Sequence, residues 1–270
     1  MSSAPHYFPR EHGATAMLLM PFGAAAVLAR TVRWQEAAAL AAVLCVFMTK
    51  DPLVVLARQR WVWKQVHPET RAALRWVAAE LAVMAACGVA LLSTGSWIAY
   101  MALFGGAVAF SGLAVWVNVR NRQRGIAFQV ASAVGLTSTS LTAALAATGG
   151  IPQWGWWLWG LMAAQSAAGI FTVHARLEAR VAAKKGGSEE AGSRRVAILL
   201  VGLLGAAGVA AAVTRNYWIS GALVWATAGY AGELVRQNNA GSLQMPLTQV
   251  GRQTLTLSLV YGALVVRGLW

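Results

Sequence analysis

The sequence predicts an all-α, polytopic membrane protein of about nine transmembrane helices, with its N-terminus inside and its C-terminus outside. Three observations carry that expectation. Hydrophobic residues make up 58% of the 270 and charged residues only 11%, with a mean hydropathy of +0.55, far from soluble-domain averages. Apolar stretches of membrane-spanning length recur from end to end of the chain. The Lys and Arg residues collect between alternate pairs of those stretches. So much apolar surface needs lipid as its solvent, and one bundle can hold it, so a single membrane domain, 1–270, is the simplest organisation.

The stretches run near residues 14–29, 36–56, 76–92, 97–117, 126–147, 156–173, 196–213, 218–234 and 247–266. They are rich in Ala, Leu and Gly and lack the polar alternation of an outer-membrane barrel, which makes them helices. The first is the shortest. No small-residue cleavage site follows it, so it is expected as a retained helix.

With nine spans, 18 of the 22 Lys and Arg fall on the side that carries the N-terminus, and only Arg30, Arg33, Arg215 and Arg267 fall on the other. Basic residues are retained on the cytoplasmic side, which places the N-terminus inside. The net charge of +13 is then a topology signal. The charges flank membrane spans, which argues against a nucleic-acid partner. Trp97, Trp154, Trp156, Trp157, Trp159 and Trp218 fall near outer ends and Trp61, Trp63, Trp76 and Trp116 near inner ends, the positions of an interfacial belt.

The inner loops after the second and sixth stretches are the long ones, with six basic residues each when Lys50, at the inner end of the second stretch, is counted with the first. Four helices separate them, an even offset that preserves direction through the membrane. This points to a parallel internal repeat whose two cytoplasmic loops face one central cavity. Within the second loop, 184–195 (KKGGSEEAGSRR) is low in complexity and expected as a flexible linker or lid. Cys45 and Cys87 fall inside stretches, so the sequence offers no disulfide framework, CxxC pair or zinc knuckle.

Ionisable groups at membrane depth or at the mouth of a span are expensive and therefore functional candidates. The first cluster is Lys50-Asp51-Pro52 at the inner end of the second stretch, where Asp51 is the chain's one aspartate. It serves either a ligand or a salt bridge with Lys50 or Arg58. The second is Asn118-Val119-Arg120-Asn121-Arg122-Gln123-Arg124. Its alternating guanidinium groups suit a phosphate or carboxylate, and equally suit a purely topological role. The third is His174-Ala175-Arg176-Leu177-Glu178-Ala179-Arg180. On a helix His174 and Glu178 share one face and Arg176 and Arg180 another. HxxxE offers two metal ligands without a third nearby in sequence, so no metal site is assigned and surface pairing is the simpler reading. His12, beside Glu11, is the distant partner on the same side. Gln129, Thr137, Ser138, Thr139, Ser140 and Gln165 lie within spans, to line a cavity or bond neighbouring helices.

The opening Pro9-Arg10-Glu11-His12-Gly13-Ala14-Thr15-Ala16-Met17-Leu18-Leu19-Met20-Pro21 resembles the PREHGAWAMLL-type start of YwiC-like bacterial membrane proteins. Lys50-Asp51-Pro52-Leu53 and the basic turn 117–125 follow the same plan, so the resemblance covers most of the chain and implies a bacterial cytoplasmic membrane. A wider resemblance is to the UbiA superfamily of intramembrane prenyltransferases. That superfamily shares nine helices, an inside N-terminus and cytoplasmic loops after helices two and six. Its aspartate motifs hold magnesium against a prenyl diphosphate. Here only Asp51 stands at the first position and only Glu178 at the second, each among Lys or Arg, which does not suit a two-site magnesium clamp. The turn at Arg120 and Arg122 is similar to the superfamily's phosphate-contacting turn, which implies anion binding there.

Taken together, these readings lead to a cytoplasm-facing cavity that binds an anionic amphiphile, an isoprenoid or phospholipid, with arginines in place of magnesium. Lys50, Asn118, Arg120, Arg122, Arg176 and His12 are its candidate binding residues. In an enzymatic version, a transferase diverged from magnesium-dependent prenyl transfer, Asp51, His174 and Glu178 are the candidate catalytic groups. A non-catalytic carrier or assembly protein is the rival, and a metal or haem protein using His12 and His174 is a third reading. No cofactor is assigned.

Overall fold

In the computed structural model the described residues are 12–92, 96–185 and 192–270, and they form helices without a strand. The elements are α1 (His12–Ala29), α2 (Trp34–Arg58), α3 (Thr70–Leu92), α4 (Trp97–Val119), α5 (Ile126–Thr137), α6 (Thr139–Thr148), α7 (Gln153–Lys185), α8 (Gly192–Val213), α9 (Tyr217–Arg236), α10 (Ala240–Leu243) and α11 (Leu247–Leu269). Each apolar stretch of the sequence coincides with helix. Residues 186–191, the middle of the expected flexible segment, lie outside the described residues, while Lys184 and Lys185 close α7 and 192–195 open α8.

Five helical stretches are long and apolar enough to cross a membrane: Trp34–Trp63, Thr70–Leu92, Trp97–Val119, Ile126–Thr148 and Gly192–Val213. Helix Gly13–Ala29 is shorter but apolar. Helices α7, α9 and α11 have 33, 20 and 23 residues but spread Gln, Ser, Thr and Trp through their length. In lipid such groups need partners from other helices.

Helix ends follow from local chemistry. Arg30, Lys64, Asn121, Arg215 and Gly149 take positive φ of 55°, 52°, 55°, 61° and 78°, the left-handed conformation that stops a helix. At Gly149 that conformation is free of Cβ strain, and its N–H donates to Leu145 O at 2.8 Å. The Asn216 side chain accepts from Ile219 N at 3.2 Å and caps α9.

Two helices depart from the expected spans. α2 runs past its expected end near 56, which leaves Lys50-Asp51-Pro52 well inside the helix. It continues through Arg58 and ends in a π-helical turn, Gln59–Trp63, so Asp51 sits about 18 Å before that end at 1.5 Å per residue. Pro52 removes one backbone donor without stopping the helix, and the apolar Leu53–Leu56 run carries it on. α7 likewise extends beyond His174 to Lys185. The described parts of both long inner loops are therefore largely helical.

The fifth stretch breaks at Ser138, between α5 and α6. Hydroxyls of Thr137, Ser138 and Ser140 turn back onto Ala133 O, Gly135 O and Thr137 O at 2.9, 2.7 and 2.9 Å, a pattern that bends helices. Thr139 instead donates to Leu18 O in α1 at 2.7 Å. α6 is the centre of the bundle, with Thr139 through Ala147 all buried. α3 buries only Ala73, Glu80 and Leu91 and lies at the periphery.

Contacts between helix ends fix which ends share a face. Arg30, past α1, donates to Trp270 O at 3.2 Å and stacks on the Trp270 ring at 4.2 Å, so α1 and α11 end together. Asn216 Nδ2 reaches Gly268 O there at 3.2 Å. Elsewhere Arg58, at the end of α2, donates to Asn118 O and Asn121 Oδ1 at 3.0 and 3.1 Å, and Arg194 donates to Asn238 Oδ1 at 2.7 Å.

Candidate functional site

Two adjoining cavities open among the described helices. The larger, about 920 Å³, is walled by α1, α2, α4, α5 and α6, with Trp159 and Ile170 of α7. Most of its wall is apolar, including Phe110 and Phe128, stacked at 6.0 Å. Its polar lining includes Lys50, Asn118, Gln123 and Arg124, together with Gln129 and the hydroxyls of the α5–α6 break.

Lys50 and Arg124 are the cationic residues lining this cavity among the described residues. Lys50 is held 3.8 Å from Asp51 and 5.9 Å from the Phe47 ring centroid. Asn118 anchors its amide on Ala114 O at 2.9 Å, while its carbonyl takes the Arg58 bond. Arg58 thereby clamps the turn that presents Gln123 and Arg124. Gln123 Oε1 is buried there without a hydrogen-bond partner among the described residues.

The other candidates are placed differently. Arg120 lies over the Trp116 ring at 4.2 Å, on the exposed side of the α4 end. Neither Arg120 nor Arg122 lines either of these two cavities, and both are exposed, as is Arg124. Positions 116 and 120 share one helix face, which draws Arg120 outward. Of the three arginines on the turn, Arg124 is the one that reaches the cavity.

His174 lines the smaller cavity, and its Nε2 is 2.9 Å from Gln129 Oε1. Glu178 accepts from Ser193 Oγ and Ser193 N at 2.5 and 3.3 Å, tying α7 to the start of α8. Arg176 is 1% exposed. It forms an ion pair with Glu233 and donates to Ser242 O, while Arg180 holds Leu243 O and Met245 O. These two arginines fasten the α9–α11 connection. Glu11 and the His12 side chain lie outside the described residues. Among the described residues no three His, Cys, Asp or Glu side chains are grouped to hold a metal ion.

The sequence reading passed over several groups. Glu233 is the ion-pair partner of Arg176. Glu80, 7% exposed, is buried on α3 beside the Thr49 hydroxyl, and its Oε2 has no partner among the described residues. Both are acids inside apolar stretches, the signal that marks an intramembrane functional group. Arg124 was visible in the basic turn, but which arginine faces inward depends on the left-handed Asn121.

The fold and the cavity define an integral, multi-pass membrane protein of helices with an apolar, cation-lined internal chamber. The chain belongs to the YwiC-like family, whose sequence model, described as YwiC-like protein, matches residues 8–144. No curated protein and no solved structure gives a match. The matched segment ends within α6 and supplies all but two of the residues that line the larger cavity.

Proposed function

We propose that this protein binds an anionic amphiphile, an isoprenoid or phospholipid, in the larger cavity. The acyl or prenyl part occupies the apolar wall, and the headgroup meets Lys50, Arg124, Asn118 and Gln123. The observation that carries this reading is the composition of that wall: apolar over most of its area, with two cations and two neutral polar groups drawn from α2 and the α4–α5 turn. Such a layout complements a molecule with one charged end. Arg120 and Arg122, on the same turn, add positive potential at the mouth.

The wider arrangement in this proposal is a nine-span, UbiA-like bundle in the cytoplasmic membrane, N-terminus inside and C-terminus outside, with the cavity open towards the cytoplasm. The meeting of Arg30 with Trp270 supports an odd number of crossings, since α1 and α11 then end on one face. The internal repeat draws support from packing. α2, α3 and α4 pack pairwise, as do α7, α8 and α9, and the α2–α6 contact has its counterpart in α7–α1.

Of the two roles open to such a cavity, carriage or storage of the ligand is favoured over group transfer. Asp51 pairs with Lys50, and Glu178 is engaged by Ser193, so the candidate acids already have partners within the protein. Lipid analysis of purified protein tests the binding reading. It should find about one phosphate- or carboxylate-bearing amphiphile per chain, retained in EDTA because the contacting charges are cations of the protein. Recovery of only neutral or bulk-composition lipid would overturn it.

A further inference from the structure

The smaller cavity, about 370 Å³, lies between α1, α5, α7, α9 and α11, and shares Gly13, Met17, Gln129 and Ile170 with the larger one. Its chemistry is different. Among the described residues no Lys, Arg, Asp or Glu lines it, and most of its wall is Met, Val, Leu, Ile, Pro, Ala and Gly. An anionic headgroup would find no Lys or Arg there to offset its desolvation, and His174 already has its Nε2 on Gln129 Oε1.

Two polar groupings stand in that wall: the His174–Gln129 pair, bonded to each other, and a cluster around Gln165. Gln165, 4% exposed, donates through Nε2 to Tyr230 Oη at 2.6 Å and to Ser258 Oγ at 2.8 Å. Tyr230 in turn donates to Gln165 O at 3.2 Å. With both amide hydrogens committed, what Gln165 has left to offer a ligand is its Oε1 acceptor. Ser258 accepts through Oγ and keeps its hydroxyl hydrogen to donate. One donor and one acceptor, side by side in an uncharged apolar chamber, complement a hydroxyl group, which accepts and donates through one oxygen. An ether satisfies only Ser258, a carboxylate only accepts, and an alkane satisfies neither.

We propose that the smaller chamber is a second binding site, for a neutral apolar molecule carrying a hydroxyl group, of the long-chain alcohol class, with that hydroxyl seated on Gln165 and Ser258. This site is separate from the anion-binding cavity and does not rest on it.

Photolabelling of the purified full-length protein tests the proposal. Three diazirine-bearing decane derivatives serve as probes: the alcohol, its methyl ether and the corresponding carboxylic acid at pH 7, with labelled peptides located by mass spectrometry. The alcohol should label α7, α9 and α11 around the chamber and be displaced by unlabelled 1-decanol. The ether and the carboxylate should label those peptides at least about tenfold less. Ser258→Ala should lower alcohol labelling while leaving the Gln165–Tyr230 bond in place. Lys50→Gln with Arg124→Gln should leave it unchanged, which separates this site from the anionic one. Equal labelling by alcohol and ether would overturn the proposal whatever the variants do. So would a preference for the carboxylate, or full labelling of a folded Ser258→Ala protein.

Discussion

His174 Nε2 and Gln129 Oε1 stand 2.9 Å apart, joining α7 to α5 where the two cavities meet. Gln129 lines both chambers and His174 only the smaller one, so this bond belongs to the partition between them. Gln129→Leu should destabilise the protein by about 0.5–1.5 kcal/mol, because a half-buried ring nitrogen loses its hydrogen-bond partner. The pair Gln129→Leu/His174→Leu should recover part of that loss. Thermal melts in detergent decide the matter: additive single effects would show that the two side chains are not coupled.

Arg176 fastens the α9–α11 connection through Glu233 and Ser242 O. Arg176→Gln leaves Glu233 as an unpaired carboxylate, with 14% of its side chain exposed, and should cost about 3–5 kcal/mol. Glu233→Gln in the same chain should restore most of the stability. Retained lipid should be unchanged in the double variant, and its loss there would give Arg176 a direct role in binding.

Gly169 makes room for the Tyr230 hydroxyl. A Cβ at Gly169 would lie 2.9 Å from Tyr230 Oη and 3.4 Å from Cζ, so Gly169→Ala must push the ring off Gln165. The expected cost is about 1–3 kcal/mol, together with weaker labelling of the smaller chamber. Gly202→Ala, with nothing within 4 Å of the new Cβ, is the control and should be neutral or slightly stabilising. Equal melting temperatures for the two variants would contradict this reading of Gly169.

The nine-span topology has its own test. A reporter active only outside the cytoplasmic membrane should work when fused after Trp270 and fail when inserted after Lys185. α8, α9 and α11 lie between the two positions, so activity at both would mean that one of the less apolar pair, α9 or α11, does not cross.

The helices were legible because each contains a long, mostly apolar run, and lipid leaves the backbone no alternative to helix. The polar break at 137–140 was legible as hydroxyls, though not as a kink. What the sequence could not show is which way a turn faces. Arg120, Arg122 and Arg124 have the same spacing and charge. The left-handed φ of Asn121 and the grip of Arg58 on Asn118 and Asn121 bring Arg124 to the cavity, and Trp116 draws Arg120 away from it. Nor could composition show that α2 runs on past 56 to Arg58 and into a π-helical turn at Gln59–Trp63. Arg176 has the sequence signature of an inner-mouth cation. Its burial against Glu233 depends on a contact 57 residues along the chain.

The most direct measurement of the central claim is native mass spectrometry of the wild type beside Lys50→Gln/Arg124→Gln, both purified from the same membranes. Charge-assisted contacts to a headgroup are worth about 1.5–3 kcal/mol each, so the double variant should lose an anionic adduct by at least about tenfold. Neutral adducts should be retained. An anionic amphiphile bound to the wild type at about one per chain, and lost from the folded double variant, is the predicted result. Equal occupancy by the same anionic lipid in both proteins would contradict the assignment of Lys50 and Arg124 as its binding residues.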